Sequence, residues 1–382
     1  MNALELYERY KSYLRYDPNN ADLISKTIEY ALKSGDTDNA WALSTLVIES
    51  FHWNAGCYYQ AVTAALATHH YSEALSWLQE TIQSDNPPSW ALFNYAFALL
   101  QLGEYTKVIN YISLHENLIQ GTPGLTVLKA RALFFLADYI ECERELEQYI
   151  TSFPDDANAL GLLSLVLYDK GNLKKAEKIA RNAIAMEEMQ LEATMTLASV
   201  HLAKREIKAS TDYIDRILSR LPNMGRALII KGQLRMLENN HTEAKVCFEN
   251  ALQSLSSHVG TWHALAWCYL LSEEYEKCKN AFEMALNLDR NFAETYGGLA
   301  VFFALTGEVE KSNYHLERAL RLDKRCFSGM FAKAVLLRQQ GRNREADRII
   351  DTILSSSVLE GDLPLRDIVR KLATQDNTSS NE

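Results

Sequence analysis

A period of 34 residues runs through this chain without slippage from Ala21 to about Glu360, and it restricts the fold more than any other feature. Blocks begin at Ala21, Ala55, Ser89, Pro123, Ala157, Leu191, Gly225, Val259, Ala293 and Phe327. Their eighth residues are Ile28, Val62, Ala96, Ala130, Ser164, Ala198, Gly232, Ala266, Ala300 and Ala334. Their twentieth are Ala40, Ala74, Val108, Cys142, Ala176, Ser210, Ala244, Cys278, Ser312 and Ala346, none larger than Val. Two columns in phase over ten blocks describe a solenoid whose units bury their apolar faces only on their neighbours. Ten blocks of 34 fill 340 of the 382 residues, so one elongated array replaces the two or three globular domains that length alone would suggest.

Each block reads as two helices. In the fifth, Leu160, Leu163, Ser164 and Leu167 fall at i, i+3, i+4 and i+7, one face of a helix. Gly171-Asn172 interrupts the pattern, and Ala176, Ile179, Ala180, Ala183 and Ile184 resume it. Gly35, Gly103, Gly171, Gly307 and Gly341 recur at the same break, where a helix must end on a residue tolerant of positive φ. Pro154 and Pro222 stand where the second helix stops. The small columns then mark where two helix axes come close, and the expected class is all-α.

Composition narrows the function. With 47% apolar and 23% charged residues the chain is an ordinary folded one. Its apolar runs, such as Tyr95 to Leu100 and Leu133 to Ala137, are too short to span a bilayer, so no membrane insertion is expected. Glu5, Glu8, Arg9 and Lys11 stand where a signal peptide needs an apolar run, which points to a cytoplasmic location. The six cysteines form no C-x-x-C pair, and Cys142 and Cys278 occupy the small column, as reduced packing residues would. His69-His70 is the one histidine cluster and lacks a third ligand, so no metal is expected. There is no phosphate loop, H-E-x-x-H or paired nucleophile and base, so neither enzyme activity nor a cofactor is expected. Residues 1–156 carry 9 Lys+Arg against 20 Asp+Glu, and residues 157–382 carry 30 against 29. Between Ala55 and Thr122 the one Lys or Arg is Lys107. Such a half repels nucleic acid and anionic membrane; it either attracts a basic partner or is merely a solvated acidic face.

The eighth block carries a resemblance to a known family. Trp262, Leu265, Ala266, Tyr269, Tyr275, Phe282 and Ala285 match the W-x2-L-G/A-x2-Y…Y…F-x2-A pattern of the tetratricopeptide repeat, with Cys278 in place of the usual Ala. The likeness covers 340 of the 382 residues, is weaker in the first two blocks, and departs at Lys129, Lys231 and Lys333, where a leucine is usual. It implies an α-solenoid of about ten helix–turn–helix repeats over residues 21–360, wound as a right-handed superhelix. Residues 1–20 read as an N-terminal capping helix, Ala3 to Tyr16, closing in Asp17-Pro18-Asn19. Residues 361–373 read as a C-terminal capping helix, with Asp362 as N-cap, Pro364 in the first turn and an apolar stripe of Leu365, Ile368, Val369 and Leu372. Residues 374–382 read as a disordered tail.

In that family the first helices line a concave face through the second, fifth, ninth and twelfth residues of each block. The resemblance thereby implies a partner-binding lining of Tyr59, Trp90, Phe93, Phe97, Arg131, Phe134, Tyr168, Met195, Ile229, Met236, His263, Trp267 and Phe331. The third block makes the point without the family. Leu92, Tyr95, Ala96 and Leu99 form one apolar face, and Trp90, Phe93, Phe97 and Leu100 a second. A helix apolar on both faces is covered on both, either by a partner in an open groove or by its own neighbours in a tightly wound array. The Lys and Asn that clamp acidic chaperone tails are missing from the fifth and ninth places, and an Asn ladder is reduced to Asn94. The expected function is a non-enzymatic adaptor or chaperone holding an apolar or amphipathic protein segment, similar in kind to bacterial secretion chaperones. A structural subunit of a large assembly and a peptide-sensing regulator are the alternatives.

Overall fold

The computed structural model describes residues 2–50, 54–84, 86–115, 122 and 124–355, and among them every regular element is an α-helix. Helix α1 is Ala3–Tyr16. Hairpins follow as α2 and α3 (Ala21–Ser34, Thr37–Ser50), α4 and α5 (Ala55–Ala67, Tyr71–Ile82), α6 and α7 (Ser89–Gln101, Tyr105–Leu114), and α8 and α9 (Gly124–Phe135, Tyr139–Ser152). Next come α10 and α11 (Ala157–Asp169, Leu173–Met186), α12 and α13 (Leu191–Ala203, Ile207–Leu218), and α14 and α15 (Gly225–Leu237, His241–Ser254). The last are α16 and α17 (Val259–Leu271, Tyr275–Leu288), α18 and α19 (Ala293–Leu305, Val309–Leu322), and α20 and α21 (Phe327–Gln339, Asn343–Ser355). The chain divides into two compact units, residues 1–166 and 167–382, with the boundary inside α10. The expected C-terminal capping helix and tail lie outside the described residues.

Local chemistry fixes where these helices start and stop. The side-chain oxygens of Asn20, Asn54, Asn172 and Asn240 each accept the backbone N–H three residues on, at 3.0–3.2 Å, satisfying a donor that has no partner within the helix. The turn inside every hairpin places one residue in the left-handed region. Five of these are the glycines, at φ +76° to +86°, and five are His69, Ala137, Arg205, Asn239 and Glu273, at φ +59° to +65°.

Both small-residue columns are buried along their whole length, from Ala40 to Ala346 and from Ile28 to Ala334. They meet one another. The Cys142 thiol donates to the Ala130 carbonyl at 3.1 Å, the Ser210 hydroxyl to the Ala198 carbonyl at 2.7 Å, and the Ser312 hydroxyl to the Ala300 carbonyl at 2.7 Å. The twentieth residue of a hairpin thus touches the backbone at its eighth, which is why the twentieth place holds nothing larger than Val. At Gly232 a Cβ would stand 2.6 Å from Cε1 of Phe248, so this crossing has no room even for Ala unless the ring moves.

Helix α1 covers the first hairpin. Tyr7 is 2% exposed and its hydroxyl donates to Asp36 Oδ2 at 2.7 Å, while Tyr10 stacks on Tyr30 at 5.3 Å. Two of the lysines at the leucine place find carboxylates on second helices. Lys129 pairs with Glu145 at 2.8 Å, with both side chains about 15% exposed (15% and 14%), and Lys231 pairs with Asp215 at 3.3 Å. All six cysteines are free and buried. Burial pushes Cys142, Cys268, Cys278 and Cys326 up to about 12 and raises Cys57 and Cys247 too, so they persist as unreactive thiols that fill space.

Candidate partner-binding site

In the first unit, α6 and α8 leave a cavity of about 520 Å³ between them. Phe93, Phe97, Leu100 and Gln101 line it from α6, and Gly124, Val127, Leu128, Arg131 and Phe135 from α8. Tyr105 of α7 and Asp156 and Asn158 at the start of α10 complete the wall. The lining runs from the first residue of α8 to its last, so the cavity is a trough along the helix. Phe93 and Phe97 stack one helical turn apart, 6.4 Å between centroids. Gly124 brings the backbone of α8 under Phe93: a Cβ there would lie 2.8 Å from Cε2 of that ring. At the other end Tyr105 stacks on Phe135 at 4.9 Å.

The charged groups of the lining have distinct positions. Asp156 is committed to structure: Oδ1 accepts the Asn158 and Ala159 backbone N–H groups at 2.9 and 3.1 Å, and Oδ2 accepts the Tyr149 hydroxyl at 2.8 Å. It is thereby the N-cap of α10. Arg131 stands half-buried in the wall. The chemistry offered is a mostly apolar surface with a guanidinium and the Gln101 and Asn158 amides at its margins. That set suits apolar side chains followed by a hydrogen-bonding backbone.

Of the thirteen residues expected to line the binding face, Phe93, Phe97 and Arg131 share this cavity. Trp90 sits apart, edge-on to Tyr58 and Tyr59 at 6.0 and 5.2 Å. Phe134 packs edge-on to Phe135 at 5.8 Å. In the second unit the corresponding stripe is largely covered by its own neighbours. Met195 is 3% exposed within the cluster of Ile214, Ile217 and Leu234, so it is a core residue and offers no accessible face. Ile229, Met236 and Trp267 pack, partly buried, against the core around Phe248 and Phe282, and burial raises the Tyr168 hydroxyl. At Gly297 the helices approach so closely that a Cβ would lie 2.4 Å from the Gly329 nitrogen. His263 is wedged against Phe282 and Phe292, both at 5.6 Å. Burial pushes it down to about 4 against an upward pull from Glu294, and its Nε2 accepts the Trp267 indole N–H at 3.0 Å. Phe331 remains 41% exposed. The lining thus leaves a cavity between α6 and α8, whereas Met195 and His263 of the second unit are packed among their own neighbours.

Reading first-helix columns alone omits Tyr105, which opens a second helix, and Phe135, one place beyond Phe134. Gly124 does fall in the second-residue column, but as a glycine it is not counted as lining; its signal is a glycine in a first helical turn opposite an aromatic.

Among the described residues no group of three or more His, Cys, Asp or Glu could hold a metal ion, and no helix is long and apolar enough to cross a membrane. Residues 127–188 and 259–292 match family models described as tetratricopeptide repeat. Tetratricopeptide repeat protein 37 of Xenopus laevis is 22% identical over 200 residues, 51% of this chain but only 12% of that protein. Among solved structures, the APC/C hetero-tetramer Cut9-Hcn1 aligns with a TM-score of 0.65 at 16% identity, over 88% of this chain and 67% of that one. The human IFIT1 dimer with m7Gppp-AAAA aligns with a TM-score of 0.56 at 13% identity, over 92% and 93%. At such identities the likeness speaks for the fold. The matched stretches fall on helical hairpins of the same 34-residue series, so this chain carries tetratricopeptide repeats within an all-α solenoid fold.

Proposed function

We propose that this chain is a non-enzymatic adaptor or chaperone that holds an apolar or amphipathic segment of a protein partner against its first helices. Tetratricopeptide arrays are protein-interaction scaffolds, and the observation that carries the finer reading is the trough of about 520 Å³ bordered by Phe93, Phe97, Leu100 and Val127. Apolar walls with a few polar groups at the margin are the usual make-up of a recognition pocket, and a trough along a helix suits an extended or helical peptide. The reading extends to a client-shielding role of the secretion-chaperone kind in the cytoplasm.

Filling the trough tests it. Gln101 is exposed at the end of α6, so Gln101→Trp adds bulk to the cavity without disturbing the core. Partner peptides selected on the wild-type chain should lose affinity at least about tenfold, with helicity and melting unchanged. Undiminished binding by Gln101→Trp and by Phe93→Ser would refute the site.

A structural subunit is the second reading. It is favoured by Met284, Leu288, Tyr314 and Leu322, which stand 40–55% exposed on the second helices α17 and α19. Such a subunit self-associates when expressed alone, whereas the adaptor stays monodisperse. Light scattering on the isolated chain separates the two.

A further inference from the structure

The trough does not end at its own rim. Tyr105 and Phe135, which close one end of it, also border the turns that join α6 to α7 and α8 to α9. Along those turns Leu102 is 42% exposed, Phe135 55%, Leu136 47% and Ile140 77%. Leu102 and Leu136 hold the same place in consecutive hairpins, each directly before the left-handed residue, Gly103 or Ala137. Single exposed apolar residues are commonplace. Leu102, Leu136 and Ile140, on the turns beside a stacked aromatic pair that also lines a cavity, form a local group, and exposed apolar groups of this kind mark contacts.

The charge beside it is mainly acidic, with the Arg131 guanidinium half-buried in the trough wall. Glu104 begins α7 and Asp138 begins α9, both exposed. The single Lys or Arg between Ala55 and Thr122 is Lys107, already paired with Glu104 at 3.1 Å. Residues 1–156 as a whole carry 20 Asp+Glu against 9 Lys+Arg. A second copy of this chain meeting this edge with its own would bring like charge against like, which costs association; a segment bearing Lys and Arg gains from the same field.

We propose that the partner segment is a basic amphipathic one and that it crosses this edge. It sets one apolar side chain in the trough, lays the next ones over Leu102, Leu136 and Ile140, and turns its Lys and Arg toward Glu104 and Asp138. The inference rests on the trough being a binding site, and its test separates the two. The probe is a labelled helical peptide with leucines at i, i+3, i+4 and i+7 and lysines between, alongside its glutamate counterpart. Binding is measured to the full chain, to Leu136→Gln/Ile140→Gln at the edge, and to Gln101→Trp in the trough. The edge residues are exposed, so the double variant keeps its fold, checked by circular dichroism. The lysine peptide should bind, weaken about tenfold on the edge variant and also on the trough variant, and outbind the glutamate peptide by about tenfold. Loss on the trough variant with none on the edge variant overturns the edge and leaves the trough standing. Equal binding of both peptides overturns the basic partner. Loss at the edge alone, or no binding of the lysine peptide to the wild-type chain, overturns the crossing path altogether.

Discussion

Ala137 and Gly103 occupy the same turn position in neighbouring hairpins, one at φ +59° and the other at φ +76°, yet only the glycine announces that conformation in the sequence. Arg205 and Glu273 are equally silent, whereas Asn239 and, less strongly, His69 are residue types that visit this region more readily. A left-handed L-residue costs about 1–2 kcal/mol, and the extra chain entropy of glycine returns about 0.5–1 of that. Ala137→Gly, which removes only a methyl, should therefore stabilise the chain by about 0.5–1 kcal/mol in urea unfolding; destabilisation would show that the turn is not strained. His263 gives a second residue-scale expectation. Burial holds it near 4 in the folded chain against 6.5 when exposed. As pH falls below 6.5 the unfolded chain takes a proton that the folded chain refuses until about 4. Stability therefore drops through that window, by no more than about 3 kcal/mol for a shift of this size. His263→Gln keeps an acceptor for Trp267 and cannot titrate, so its stability should fall less between pH 6.5 and 4 than that of the wild type. Equal slopes would remove His263 from the account.

At the scale of elements, the sequence was most legible where geometry leaves one solution. Helices α2, α4, α6, α10, α12, α14, α16, α18 and α20 start at Ala21, Ala55, Ser89, Ala157, Leu191, Gly225, Val259, Ala293 and Phe327, the first residues of the 34-residue blocks, because the small columns admit one register of close approach. The binding face was less legible. The same columns that give an open trough between α6 and α8 are closed by Gly297 against Gly329 and by the burial of Met195, since the gap between successive first helices depends on side chains of both. A pattern read within one helix cannot supply that. The crossing itself is testable at Ala244, wholly buried in α15 beside Phe248. Ala244→Leu should cost about 1–3 kcal/mol by overpacking, while Asn250→Leu, exposed on the same helix, should stay within about 0.5. Equal melting temperatures for the two variants would mean that the small column does not mark a helix contact.

For the molecule as a whole, the feature with most consequence is one that helix packing does not explain. Residues 1–156 hold 20 acidic against 9 basic side chains, and residues 157–382 hold 29 against 30. The repeat needs neither balance, since charges sit outside the two columns that lock each hairpin. Many of the basic groups in the second unit are spent on local pairs, among them Lys204 with Glu177 at 2.5 Å and Arg216 with Glu188 at 3.1 Å. Exposed pairs of this kind add at most about 1 kcal/mol each, so the asymmetry is worth little to stability and is free to serve association. If it does, a cationic peptide should meet the full chain faster at low salt, and the on-rate should fall as ionic strength rises, because exposed charges are screened beyond about 8 Å at physiological salt. Reversing Glu73, Glu80 and Glu104 to lysine should flatten that dependence while leaving helicity intact, since all three are exposed. The off-rate should change far less, as it reports the apolar contacts in the trough rather than the approach to it. An on-rate that ignores salt in the wild-type chain would reduce the acidic half to a solvated surface, and the trough alone would then have to choose the partner.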